Sequence, residues 1–250
     1  MNEYVNITLE NIDEEHICCA IGDKKHQIGV ETKKAWLKDR IKEGHTFRKL
    51  NTRGKVFIEY APLEYAWTPI HGDKYLYIYC LWVAGSFKGK GYAKELLEYA
   101  VEDAKKKGKN GICLISSKKK KPFLSEKSFF EHYGFRVVDS IGDYELFALS
   151  FTGEEPRFND CARAMKIDTK DFTIYYSEEC PYVVNSINQI TEYAKENKIP
   201  LNIVKVDTLE KAKNVPCIFN NWANFKDGKF ISNTLLNKNS FEKLLDKSKL

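Results

Sequence analysis

No two cysteines of this sequence stand at Cys-x-x-Cys spacing and none clusters with histidine, although there are seven, at positions 18, 19, 80, 113, 161, 180 and 217. An odd number at irregular spacing speaks against a zinc site and a disulfide framework. No metal is expected, and a reducing cytoplasm is the simplest setting. An apolar leader is missing as well, since the opening stretch MNEYVNITLENIDEEH is acidic. The longest apolar run, residues 75–85, falls short of the ~20 residues a membrane-spanning helix takes. Charge of one sign is not concentrated either: 27 basic residues face 24 acidic ones over 1–165, and 13 face 11 over 166–250. That balance lacks the basic lobe of a nucleic-acid binder and favours small-molecule chemistry. With 43% hydrophobic and 13% aromatic residues, the chain has material for a packed core.

Periodicity divides the chain. Residues 10–44 read as helical. HTFRKL and KVFIEYAP then flank a short Asn-Thr-Arg-Gly turn as an antiparallel hairpin. YLYIYCLWV (75–83) reads as a central strand buried on both faces. Ala93, Leu96, Leu97, Ala100, Val101 and Ala104 form one stripe, and Lys94, Glu95, Glu98, Glu102 and Asp103 fill the opposite face. That is an amphipathic helix, stopped at Gly108. ICLIS follows as a strand. SEKSFFEHYGF is a helix with Ser125 as cap and Gly134 as stop, and RVVDS and YELFALS are closing strands. Residues 151–169 read as a linker between a domain over 1–150 and a second over 170–250. The second runs strand FTIYY, loop SEECP, helix 182–197, strand NIVKVD, a short helix, strand KFIS and a helix from Ser240. This order packs as a small mixed sheet with helices on its faces.

Between the buried strand and the amphipathic helix stands FKGKGYA (87–93). A dinucleotide fingerprint requires glycine where Lys94 stands, and a P-loop requires Ser or Thr after Gly-Lys, so both fail. An ordinary turn with solvated lysines is one reading. The other comes from placement: a glycine turn opening a helix aims successive backbone N–H groups at one point, an anion cradle suited to a pyrophosphate. Gly89 and Gly91 let phosphate oxygens approach the backbone.

VAGSFKGKGYAKELLEYA resembles the acetyl-CoA loop of the GNAT N-acetyltransferases, Gln/Arg-x-x-Gly-x-Gly/Ala, with Lys88 in the first position and Gly91 and Ala93 matching. About 40 residues on, SFFEHYGFRVVD resembles the second motif of that family, an aromatic pair ahead of Gly-Phe. The resemblance covers residues 1–150. It implies an α/β (α+β) fold, a mixed sheet flanked by helices. It also implies direct transfer of acetyl from acetyl-CoA to a small-molecule or peptide amine in a ternary complex. On this resemblance Lys88, Gly89, Lys90, Gly91, Tyr92 and Ala93 hold the pyrophosphate, and Leu81, Trp82 and Val83 pair with the pantetheine arm. The Val83 N–H faces the thioester oxygen as it gains charge. Many members carry Tyr as the second aromatic, where it protonates the leaving thiolate. Here Phe130 occupies that place among the cofactor contacts. Tyr133, one helical turn on, is the candidate acid, with a packing role as the alternative. Glu59 is the candidate base, acting through a water, with a solvated strand-edge carboxylate as the alternative. Tyr77 and Tyr79 share a strand face as core or cleft-wall aromatics. The lysines at 118–121 read as a solvated loop, with a contact to coenzyme A phosphates or an acidic acceptor as the alternative.

In the second half, FTIYYSEECPY places Cys180 after a strand and at the start of a helix. Helix-end N–H groups favour its thiolate there, while Glu178 and Glu179, expected to turn to water, oppose it. NVPCIF followed by NFKDGKFIS resembles the proline loop and terminal hairpin of thioredoxin-like domains. That resemblance implies a cis Pro216 lying against Cys180. Val183 stands where a second thiol would, so a two-thiol cycle within that motif is unavailable. Cys217 is either close to Cys180 or a buried apolar residue. A GNAT unit followed by such a unit resembles the YoaP-type two-domain proteins. Two functions stay open: an acetyltransferase whose second domain assists binding or assembly, and a thiol-active or coenzyme A-sensing protein with a degenerate GNAT domain.

Overall fold

The computed structural model describes residues 3–17 and 19–246, so Cys18 lies outside the described residues. The first elements in chain order are β1 (Tyr4–Asn6), α1 (Gln27–Lys42), β2 (Thr46–Leu50), β3 (Val56–Pro62), β4 (Ile70–His71) and β5 (Tyr75–Val83). Then come α2 (Tyr92–Lys106), β6 (Gly111–Ser117), α3 (Lys127–His132), β7 (Arg136–Ile141), β8 (Tyr144–Ser150) and β9 (Arg157–Phe158). The remainder comprises β10 (Phe172–Tyr176), α4 (Tyr182–Glu196), β11 (Leu201–Lys205), α5 (Leu209–Lys213), β12 (Trp222–Lys226), β13 (Lys229–Ser232) and α6 (Lys238–Asp246).

The larger sheet has the order β1-β2-β3-β5-β6-β8-β7 among the described residues. Its neighbours are antiparallel except β5 and β6. The stripe predicted for α2 is the face it buries: Leu96, Leu97, Ala100 and Ala104 pack on Leu76, Ile78, Ile112 and Leu114. The other face of the sheet carries Phe57, under Leu37 of α1, and Tyr75, Tyr77 and Cys113. The parallel pair is short. β5 and β6 match at Tyr75/Gly111, Leu76/Ile112 and Tyr77/Cys113, where their pairing ends, while β5 continues to Val83 and β6 to Ser117. The expected burial of β5 on both faces therefore holds only for its first half: Tyr77 is buried, Tyr79 half-buried and Trp82 exposed.

The smaller sheet has the order β11-β10-β12-β13. β10 and β11 are parallel, and β12 is antiparallel to both β10 and β13. Asp227 and Gly228 turn the β12–β13 hairpin, both at positive φ (52° and 74°), the backbone that a two-residue hairpin loop requires. The stretch between the sheets is anchored at a few buried points, Pro156 among them. β9 pairs with β4, burying Phe158, and Ala162 is also buried. Lys213 Nζ donates to the carbonyls of Leu63 and Ile70 at 2.7 and 2.9 Å, and Thr68 Oγ1 donates to the Phe219 carbonyl at 3.0 Å. These bonds join the two sheets through buried surface.

Three expected boundaries differ. Helix over 10–44 contracts to α1, because Asn11 competes locally for backbone groups: its side chain accepts from Thr8 N–H at 2.8 Å and donates to the Asn6 carbonyl at 3.0 Å, and Gly22 sits at φ 75°. Ser125 is not the cap of α3. Glu126 holds that position, and the Ser125 carbonyl accepts from Ser116 Oγ. The last helix starts at Lys238, two residues before Ser240, because Asn237 and Ser240 cap each other's N–H groups at 2.8 and 2.9 Å.

Candidate active site

The separation of β5 from β6 opens a cleft of about 410 Å³ on the α2 face of the sheet. Its walls include Leu81, Val83, Lys88, Gly89, Gly91, Tyr92, Ala93, Phe130 and Tyr133, all predicted from sequence. Sequence reasoning missed Phe87, Lys94, Ser125, Glu126 and Phe129, which also line it. Phe129 was legible as the first member of the aromatic pair, and Lys94 as the next residue of the first turn. Gly89 and Gly91 take φ of 75° and 83°, and Gly91 is the N-cap of α2. Side chains adopt that backbone rarely. The first-turn N–H groups of α2 have no intrahelical acceptor and stand at the cleft wall.

The free edge of β5 supplies two further donors. Ala84 N–H donates to the Lys55 carbonyl at 3.0 Å, so by alternation along an antiparallel strand the main-chain groups of Trp82 also point to β3. Those of Leu81 and Val83 point the other way, into the gap. This corrects one expectation: the Trp82 main chain is committed to β3, its side chain is 48% exposed, and it does not line the cleft. Lys90 is exposed outside the cleft lining. The lysines at 118–121 find local partners, Lys118 with the Gly142 carbonyl and Lys121 with Asp143, as a surface loop does.

Glu59 is neither solvated nor placed to act as a base. It is 2% exposed, accepts from Lys33 Nζ at 2.6 Å and meets His45 Nε2 at 3.0 Å. Burial alone would push its carboxyl up, but Lys33 and His45 together outweigh burial and hold it below the usual range. Burial likewise keeps the His45 imidazole below its ordinary value, partly offset by Glu59. The register of β5 explains where these groups lie. Glu59 pairs with Cys80 and Tyr60 with Ile78, so Tyr79 is bulged out of the ladder. Tyr77 and Tyr79 meet edge to face at 5.0 Å on the Glu59 face, and Tyr79 Oη accepts from Trp67 N–H at 2.7 Å.

The loop before α4 covers that same face. Glu178 pairs with Lys205 at 2.7 Å. Glu179, expected at the surface, is 5% exposed, and neither carboxylate oxygen has a hydrogen-bond partner among the described residues. Burial pushes its carboxyl well above the usual range, and the charge of Glu59 adds to this, with Lys33 opposing. Cys180 is half-buried beside the cluster containing Ile174 and Val183, one residue before the Pro181 cap of α4. Cys217 is fully buried in a different cluster, among Trp67, Val215 and Phe225, and burial pushes its thiol well up. Its apolar reading therefore holds, and the structure does not assemble Cys180 with Cys217. No peptide bond is cis among the described residues, Pro216 included. Sequence reasoning missed Lys33 and His45, since nothing local marks a buried lysine on α1.

Comparison with known proteins bears on this geometry. Residues 53–137 match the family described as "Acetyltransferase (GNAT) domain", and residues 200–243 match the one described as "YoaP-like". The chain is 41% identical over 246 residues to the "Uncharacterized N-acetyltransferase YoaP" of Bacillus subtilis strain 168, covering 97% of this chain and 98% of that protein. Among solved structures, the PaiA N-acetyltransferase of Thermoplasma acidophilum in complex with coenzyme A overlaps 60% of this chain and 99% of its own, at 17% identity and a TM-score of 0.42. A GNAT acetyltransferase of Brucella melitensis in complex with acetyl-CoA overlaps 64% of this chain and 95% of its own, at 13% identity and a TM-score of 0.41. Both overlaps are loose. The Bacillus relative spans both sheets, and the chain accordingly belongs to the YoaP family of GNAT N-acetyltransferases.

Proposed function

We propose that this enzyme transfers the acetyl group of acetyl-CoA to a small-molecule or peptide amine, with the donor lying in the cleft between β5 and β6. The observation that carries this reading is the end of β5–β6 pairing at Tyr77/Cys113, which opens directly onto the glycine turn at the start of α2. The residues present fit the donor. First-turn N–H groups of α2, with Lys88, Gly89, Gly91, Tyr92 and Ala93, suit a pyrophosphate. The outward main-chain groups of Leu81 and Val83 suit an extended amide arm, and Val83 N–H is the donor to the thioester oxygen. The amine nitrogen attacks the carbonyl carbon, the C–S bond breaks, and the thiolate takes a proton. Phe130 has none to give. Tyr133 lines the cleft 4.9 Å from Phe129, and the thiolate otherwise leaves unaided.

We divide the chain into an acetyltransferase domain over 1–150, a linker over 151–169 and a second domain over 170–250. The β-α-β-α-β-β-α order of the last, with one parallel and two antiparallel pairings, supports a thioredoxin-like fold without its two-thiol chemistry. No helix among the described residues is long and apolar enough to cross a membrane, and the cysteine usage fits a reducing cytoplasm. Gly91→Val tests the donor site. No neighbouring atom lies within 4 Å of a β-carbon at Gly91, so a valine side chain fills the phosphate approach without a clash in the core, while the φ of 83° strains the turn locally. Calorimetry should show acetyl-CoA affinity reduced at least tenfold, and unchanged affinity in a folded variant would overturn the assignment.

A further inference from the structure

We infer that Glu179, contributed by the second half of the chain, is the acceptor-side catalytic residue: its carboxylate receives the ammonium of a cationic amine and takes its proton. This rests on the donor reading above and adds the residue that reading lacks, since Glu59 is tied to Lys33 and His45.

Three observations carry it. The first is position. The gap between β5 and β6 has the donor cleft on one face, walled by Leu81, Val83 and Phe130. Tyr77 and Tyr79 mark the other face, and Tyr182, three residues after Glu179, packs there with Phe57 and Cys80, which lays the 177–181 loop on it; the charge of Glu179, after burial, raises both phenols. The second is poor satisfaction: a carboxyl 5% exposed, neither oxygen making a well-formed hydrogen bond among the described residues and only the Ser177 hydroxyl of its own loop acting on it, has room for a further donor. The third is the path. Burial falls along β5 from Tyr77 through Tyr79 and Cys80 to Trp82, so the Trp82 end is the side of this face nearest solvent and the side from which an acceptor approaches. An ammonium entering there meets a carboxylate and the rings of Tyr77 and Tyr79, a combination that favours a cation.

The charged and titratable groups facing Glu179 are Glu59 from β3, Lys33 from α1, and Tyr77 and Tyr79 from β5, with Ser177 on its own loop. His45 stands behind Glu59. Lys33 is committed to Glu59, so an arriving ammonium supplies the positive charge that lets Glu179 ionise, with its proton passing to solvent. Glu179 then takes one proton from the ammonium, and the free amine attacks the thioester carbon. The C–N bond forms and the C–S bond breaks. The second nitrogen proton goes to the leaving thiolate, giving amide and coenzyme A thiol.

The test is coenzyme A release from acetyl-CoA by the full chain with each of four primary amines: n-butylamine, phenethylamine, cadaverine and lysine amide. The variants are Glu179→Gln, Glu179→Asp and Glu178→Gln, and acetyl-CoA affinity is measured alongside by calorimetry. Removal of a general base typically costs ~10²–10⁴ in rate. Glu179→Gln should lose at least 100-fold with the best amine, keep its acetyl-CoA affinity, and lose the acidic limb of the kcat/KM profile. Glu179→Asp should recover part of the rate, and Glu178→Gln should behave as wild type. A Glu179→Gln enzyme as fast as wild type overturns the proposal alone. A loss of acetyl-CoA affinity in that variant also overturns it, by making the residue part of the scaffold. Failure of the wild type to bind acetyl-CoA removes the donor reading and this proposal together.

Discussion

Gly29 of α1 lies directly against Pro181 at the start of α4: a β-carbon on Gly29 would overlap the Pro181 carbonyl oxygen. Only a residue without a side chain lets the helix and the 177–181 loop meet this closely, and that contact fixes where the loop lies. Gly29→Ala therefore has two opposed effects. It gains ~1 kcal/mol of helix propensity and forces backbone apart at a site where overpacking costs about 1–3 kcal/mol. The expected outcome is net destabilisation in denaturant melts, with amine turnover falling more than acetyl-CoA affinity. A variant as stable as wild type would mean that the loop yields without cost.

The buried charges predict a two-sided pH dependence. Glu59 has a folded-state pKa below its ordinary 4.5, so its contribution is present above pH ~4.5 and is lost as pH falls through the folded value. His45 lies below its ordinary 6.5, so the unfolded chain binds the extra proton and stability falls as pH drops from ~6.5. Glu179 acts in the opposite sense: raised above 4.5, it contributes fully below that pH and loses its contribution as pH rises through the folded value. Glu179→Gln should accordingly be more stable than wild type at pH 7.5, with the difference vanishing near pH 4. Melts of both proteins across that range check it, and a constant difference would contradict the burial of an ionisable group.

Glu59→Gln should behave quite differently from Glu179→Gln. It leaves Lys33, itself 4% exposed, without its carboxylate. Breaking one partner of a buried pair costs about 3–5 kcal/mol. The expected result is a large loss of stability at neutral pH, read by chemical denaturation. A change under 1 kcal/mol would show that the pair is solvated in solution.

Tyr133→Phe separates packing from acid catalysis. Tyr133, at the cleft wall, lies tilted against Phe129 and edge to face with His132, and a ring without the hydroxyl keeps those contacts. Turnover should fall less than tenfold, against the ~10²–10⁴ expected for a general acid. A larger fall at unchanged stability would assign Tyr133 the proton of the leaving thiol.

What the sequence determined by itself was local or periodic. The Gly89–Gly91 turn, the α2 stripe, the Asp227-Gly228 hairpin and most strand positions follow from backbone preferences and side-chain spacing that act within a few residues. The same signals located the cleft proposed for the donor, because one end of it is a single glycine turn and a helix start. The opposite face of β5, proposed as the acceptor side, was decided by tertiary structure alone. Glu59 reads as a strand carboxylate until Lys33, 26 positions away, and His45 close on it. Trp82 reads as a strand residue like its neighbours until β3 takes its main-chain groups. Glu179 reads as a surface acid until the 177–181 loop folds onto β5, about 100 residues earlier. Burial and charge pairing depend on which distant segments meet, and no spacing within one segment encodes that meeting.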